Sequence, residues 1–159
     1  MANICYADTG STADETRVVQ ATADGVIQIA PPANLCPLLL EAGVSFDGVT
    51  AGNPKVLFEV LRYATPLTSS DTGWTAITEV NVVGSDDETP LVVAVQAAQN
   101  GTPADAGSPV VIHREWIHPQ SGGVWRPSNV KIKAGTACSI RLSCASSQPH
   151  YVAWFYWYE

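Results

Sequence analysis

The chain has 159 residues, of which 46% are apolar and 14% charged, with a net charge of −7; an average soluble domain carries about 25% charged residues. That length fits one domain with a sizeable core, so the fold needs no metal or disulfide staple. The acidic balance argues against a nucleic-acid groove, which requires clustered Lys and Arg, because Lys131 with Lys133 is the only close basic pair.

The charge is unevenly spread along the chain. Residues 1–110 hold 13 acidic and 3 basic side chains, a net of −10, and residues 111–159 hold 2 and 5, a net of +3. Such a distribution suits a molecule that turns a basic part toward a partner and an acidic part toward solvent. The opening stretch MANICYADTGSTADETRVV lacks the basic and apolar regions of a signal peptide, and no run approaches the ~20 apolar residues of a membrane span, so no membrane partner is expected. Cys5, Cys36, Cys138 and Cys144 are accordingly expected as reduced thiols. Cys138 and Cys144 fall on one expected strand, about 20 Å apart at ~3.3 Å per residue, too far to pair with each other.

In chain order, residues 1–16 are small and polar without periodicity and read as an irregular arm. Strands are expected near 17–22, 25–30, 35–46, 54–63, 74–83, 91–98, 109–118, 129–133, 137–145 and 150–158, separated by Gly, Pro, Asn and Asp in the pattern of a sandwich or barrel. In PKVLFEVLRY, Val56, Phe58 and Val60 line one face and Leu57, Glu59, Leu61 and Tyr63 the other. Neither face is purely polar, which predicts a central strand. The stretch DDETPLVVAVQAAQNG is two-way: Thr89-Pro90 and Asn100-Gly101 resemble a helix start and stop, whereas LVVAV is continuous and β-branched and favours a strand. Residues 99–109 then form a loop of small turn formers.

Two DTG triplets, at Asp8-Thr9-Gly10 and Asp71-Thr72-Gly73, match the paired loops of pepsin-like proteases, in which two aspartates share a proton. The apolar strands that would hold such loops are missing around both, and Asp and Gly are ordinary turn residues, so turns are expected. HREWIHPQSGGVWRP, residues 113–127, concentrates two histidines, two arginines and two tryptophans. His113 and His118 point to opposite faces of a straight strand, and no metal, cofactor, nucleotide or nucleophile motif is present. The segment reads instead as a strand ended by Pro119, a Ser-Gly-Gly turn and a restart at VWRP, with Trp116, Trp125 and Arg126 as candidates for stacking on a sugar or a neighbouring subunit.

The chain closes on YVAWFYWYE, in which six of nine side chains are aromatic. As a strand it has Tyr151, Ala153, Phe155 and Trp157 on one side and Val152, Trp154, Tyr156 and Tyr158 on the other. A strand at an open face should show a polar side, so either the fold or another protein must cover the second row.

FEVLRYATPLTSSDTGWTAITEV, the HPQSGGVW corner, KIKAG and the closing AWFYWYE together resemble small tailed-phage virion proteins. The resemblance spans residues 55–159 and does not extend to the cysteines. It implies a β-sandwich assembled in the host bacterial cytoplasm that decorates or cements a capsid, with a major capsid protein or another virion protein as partner, a homo-oligomeric state, and no catalysis. The combined expectation is a single antiparallel β-sandwich of jelly-roll character over residues 17–159, preceded by the arm. Its interface residues are Trp116, Trp125, Arg126, Trp154, Tyr156 and Tyr158; no catalytic, cofactor or metal residue is assigned. The alternative is a carbohydrate- or receptor-binding module such as a fibre head.

Overall fold

The computed structural model describes residues 3–11, 19, 24–47, 49, 51–64, 74–76, 81–83, 94–101, 109–145 and 149–159, with backbone alone at 74–76, 81–83 and 94–101. Twelve strands are described: β1 (Ile4–Asp8), β2 (Asp24–Ala30), β3 (Leu38–Asp47), β4 (Val56–Tyr63), β5 (Trp74–Ala76), β6 (Asn81–Val83), β7 (Ala94–Gly101), β8 (Val110–Ile117), β9 (Gly123–Trp125), β10 (Val130–Lys131), β11 (Ala137–Cys144) and β12 (His150–Tyr158). A 3₁₀ turn, Thr9–Ser11, follows β1. All pairings are antiparallel.

Two sheets pack face to face. Sheet A runs β10-β3-β12-β1-β6, with β9 also on β3, and sheet B runs β5-β7-β2-β11-β4-β8. Following β1, β2, β3, β4, β8, β9/β10, β11 and β12, the chain alternates between sheets except at the β4 to β8 step. The resulting orders, β1-β12-β3-β9/β10 facing β2-β11-β4-β8, are those of a jelly roll. The three remaining strands come from between β4 and β8 and attach at the far edges, β6 beside β1 and the β7-β5 pair beside β2.

The core lies between the sheets and draws from both. Val56, Phe58 and Val60 of β4 meet Ile140 and Leu142 of β11, Ile27 and Ile29 of β2, Leu39 and Val44 of β3, and Phe155 and Trp157 of β12. These side chains are buried, each large one contributing about 1.5–3 kcal/mol. As expected, β4 is internal, lying between β11 and β8. Its other row, Glu59, Leu61 and Tyr63, is also buried.

Three expectations are corrected. Residues 1–16 are not simply an arm: Ile4–Asp8 is an inner strand of sheet A, between β12 and β6, with Cys5 and Ala7 fully buried. The two chain ends are bonded there, Asn3 N–H to the Glu159 carbonyl at 3.3 Å and Glu159 N–H to the Asn3 carbonyl at 3.0 Å. The expected strand 74–83 is two short strands in different sheets, β5 on β7 and β6 on β1. The expected restart at VWRP is the short strand β9, Gly123–Trp125, on β3. At the two-way stretch Ala94–Gly101 is a strand, which takes in the first residues of the expected loop 99–109; residues 91–93 lie outside the described residues. The expected strand at 17–22 lies, apart from Val19, outside the described residues.

The turn between β8 and β9 forms as its residues dictate. Ser121 N–H donates to the His118 carbonyl at 2.9 Å, and Gly122 N–H to that of Pro119 at 3.3 Å. Gly122 has φ 63°, and a Cβ there would fall 2.7 Å from the Val44 carbonyl oxygen, so the position requires glycine.

Candidate functional site

Strand β12 has one row in the core and one row outward. Tyr151, Ala153, Phe155 and Trp157 are buried, with Trp157 Nε1 donating to Glu159 Oε1 at 3.0 Å. Val152 is exposed, and Trp154, Tyr156 and Tyr158 are partly exposed on the outer face of sheet A. The fold thus supplies one covering layer for the aromatic strand.

On that outer face the neighbouring strands shape an organised surface. Trp154 faces Gly43 of β3 across the ladder, and a Cβ at Gly43 would come within 2.3 Å of the indole, which therefore lies flat on the bare glycine backbone. The indole Nε1 donates to Glu41 Oε1 at 2.8 Å, while Arg126 Nε donates to Glu41 Oε2 at 2.7 Å. One carboxylate thereby ties the aromatic row to the segment after β9. Tyr156, opposite Glu41, contacts Tyr6 of β1 with ring centroids 4.5 Å apart. Tyr6 donates its hydroxyl to Asp8 Oδ2 at 2.5 Å. Burial, reinforced by the hydrogen bond to Asp8 and the charge of that carboxylate, pushes the Tyr6 hydroxyl well above its ordinary range. Ile4, Leu40, Glu41, Arg126 and Tyr156 line an open cleft of about 380 Å³ in this surface.

The six candidate interface residues do not form one patch. Arg126, Trp154, Tyr156 and Tyr158 share the outer face of sheet A, whereas Trp116 stands on β8 of sheet B with 58% exposure. Trp125 lies opposite Ala42, a core residue, and packs against the core. Its ring stacks on His113 at 5.0 Å and 11°, and His113 in turn meets the edge of Phe58 at 5.6 Å. Trp125 is thus a bridge between the sheets at their β8/β9 edge rather than a free stacking platform. Glu41, Gly43 and Tyr6 were not singled out from sequence, and Asp8 only as the aspartate of a DTG triplet. An isolated glycine inside a strand pattern is the signal that could have marked Gly43.

Among the described residues the charge asymmetry along the chain is in part cancelled within the fold. Arg126 pairs with Glu41, and both Arg114 and Arg141 pair with Glu59, each with Nη2 at 2.6 Å. Glu59 is 1% exposed on the outer side of sheet B, held by one arginine at each oxygen. Three of the five basic side chains in residues 111–159 are therefore matched by acids of the first 110.

Among the described residues the catalytic readings find no assembled site. Asp8 ends β1 and Thr9–Ser11 turns; Thr9 Oγ1 accepts the Ala153 N–H at 3.0 Å, satisfying a buried donor where β1 has ended. Asp71, Thr72 and Gly73 of the second triplet lie outside the described residues. Among the described residues no group of three His, Cys, Asp or Glu side chains could hold a metal. None of the four cysteines is in a disulfide; Cys36 is exposed and the other three are buried. Burial pushes the Cys5 thiol up to about 12, with the charge of Glu159 adding to it, and burial does the same to Cys138 against an opposing pull from Arg62. Both are inert at neutral pH, since the thiolate is the reactive form. The sequence matches no protein-family model and no curated protein.

Proposed function

We propose that the chain is a non-enzymatic virion structural protein that decorates or cements a phage capsid, using the outer face of sheet A to contact the major capsid protein or another virion protein. The observation that carries this reading is the partly exposed outward row Trp154, Tyr156 and Tyr158, in which Glu41 and Gly43 hold Trp154 and Tyr6 packs against Tyr156. Rigid aromatic side chains with polar tips bury large area at little entropic cost, which is the composition of a protein contact. Jelly rolls recur in viral capsid proteins, which agrees with the reading, although that fold also serves lectins and cupins. The partner-facing surface is chosen by its aromatics and not by charge, because the basic residues of 111–159 are largely paired within the chain. Burial at ~25 cal/mol per Å² is offset by lost rigid-body freedom, and repetition over a lattice raises the avidity.

The test is sedimentation of the purified chain alone and with empty capsids. Co-sedimentation that is lost on Tyr156→Ala and Tyr158→Ala supports the reading, and a chain that ignores capsids contradicts it.

A second reading rests on the cleft. A tyrosine ring beside a carboxylate and a guanidinium offers a stacking face and polar partners to a sugar ring. Binding of a glycan that disappears in Arg126→Ala, with capsid attachment unchanged, would favour this receptor-binding module over the structural role.

A further inference from the structure

A sheet edge exposes a row of unpaired N–H and C=O groups, and proteins blunt such edges with very short strands, charges, prolines or bulges. Sheet A is blunted on its β3 side, where β9 has 3 residues and β10 has 2, with Pro127 and the positive-φ Asn129 between them. At the far edges, β5 and β6 have 3 residues each. The exception is β8, with 8 residues. It ends sheet B, pairs with β4 on one side and makes no strand pairing on the other among the described residues.

The side chains of β8 guard that edge only in its middle, where Glu115 is 54% exposed, and not at its ends. Val110 is 55% exposed, Val111 38% and Trp116 58%, an apolar display that a solvated edge strand avoids. Arg114, which could have served as a charged gatekeeper, is turned back across the ladder onto Glu59 with Nε at 2.6 Å. The single bulge, where the β4 register shifts between Val60 and Leu61, leaves five consecutive paired residues from His113 to Ile117.

The order of residues along β8 indicates what completes it. The strand reads VVIHREWI, apolar at both ends with His113, Arg114 and Glu115 between. Reversed against itself about its centre, it sets Val110 and Val111 against Ile117 and Trp116, with Ile112 against Glu115 and His113 against Arg114 between them. The pair this makes at each end, Val111 against Trp116, is an aromatic against a β-branched side chain, a cross-strand contact that stabilises antiparallel ladders.

We infer that two copies of the chain join edge to edge through antiparallel pairing of β8 with β8, making one continuous sheet from the two copies of sheet B. The contact is isologous, so it closes at two copies and does not propagate. It deepens the homo-oligomer part of the structural reading above and uses a different surface from the aromatic face of sheet A, so either can fail without the other.

Sedimentation velocity of the purified full chain over a concentration series is the test, with Val111→Lys and Trp116→Glu as variants. The expected result is a wild-type dimer whose mass falls roughly twofold, to one chain, in each variant, while circular dichroism and the thermal midpoint, taken at a concentration low enough to keep every chain monomeric, stay those of the parent. Hydrogen exchange of the wild type gives an independent check should a variant fold poorly: amides of β8 gain protection as concentration rises. A wild type that stays monomeric up to its solubility limit, a trimer or other odd assembly, β8 amides indifferent to concentration, or a dimer that survives in both folded variants overturns the inference. Monomer alone with protection of β8 only when another virion protein is added also overturns it, and would assign the edge to strand addition by that protein.

Discussion

Trp154 lies flat over Gly43 of the adjacent strand, its indole where any Cβ at position 43 would stand. A methyl at Gly43 therefore has to lift the ring, which also breaks the Nε1 bond to Glu41. Gly43→Ala should destabilise the fold by about 1–3 kcal/mol, the usual cost of overpacking. In a Trp154→Phe background the smaller ring should reduce the cost, and urea denaturation of the four proteins measures the coupling. Equal cost in both backgrounds would show that the ring and glycine do not interact.

Glu59 is the buried anion between Arg114 and Arg141. Glu59→Gln keeps the volume and leaves two guanidiniums without their carboxylate, at a cost of about 3–5 kcal/mol. Arg114→Ala should cost less, because the Arg114 side chain is 56% exposed and Arg141 still holds Glu59. Thermal unfolding of the two variants gives the order; a milder Glu59→Gln than Arg114→Ala would reverse this account of the cluster.

Trp116 and Trp125 should behave differently despite their proximity in sequence. Trp116→Ala, at an exposed site, should change the stability of the monomer by no more than about 0.5 kcal/mol. Trp125→Ala removes the ring stacked on His113 at the sandwich edge and should cost about 2–4 kcal/mol. Urea midpoints at a concentration low enough to keep the chain monomeric separate the two.

The thiols make a pH prediction with a definite sign. Unfolded cysteines ionise near their ordinary value of 9.0, whereas Cys5 and Cys138 stay protonated in the fold up to about 12. Between those limits the unfolded chain binds fewer protons, so stability falls as pH rises. Below pH 9 this contribution is fully present and flat. Tyr6 and Tyr63, also pushed upward mainly by burial, act in the same direction at higher pH. Urea midpoints should decline from about pH 9 to 12, less steeply in Cys138→Ala. Thiol titration at neutral pH should find Cys36 quickly and the other three only after denaturation.

The sandwich was legible where alternation was strong and long, as in β4, β11 and β12, whose rows of Val, Ile, Phe and Trp mark a face even without knowledge of the partner strand. β1 escaped because ICYAD is short and its core residues, Cys5 and Ala7, are small, so the period of 2 carries little apolar weight. The crossing between β5 and β6 escaped because pairing is non-local: nothing within residues 74–83 tells that one half joins β7 and the other β1. The two-sided aromatics of β12 were visible, and the cover of one side by the core was a fair expectation. The Glu41 bridge to Arg126 and Trp154 was not visible, since its partners are 85 and 113 residues apart. Nor could charge along the chain foretell that Arg114, Arg126 and Arg141 would be paired within the fold.

Hydroxyl-radical footprinting of Trp154, Tyr156 and Tyr158, on the chain alone and bound to empty capsids, tests the central claim most directly. The account predicts that all three are labelled in the free chain and protected on the particle, while Tyr151 and Trp157 stay unlabelled throughout. Capsid-bound chain whose outer row is labelled as strongly as in the free protein would contradict it.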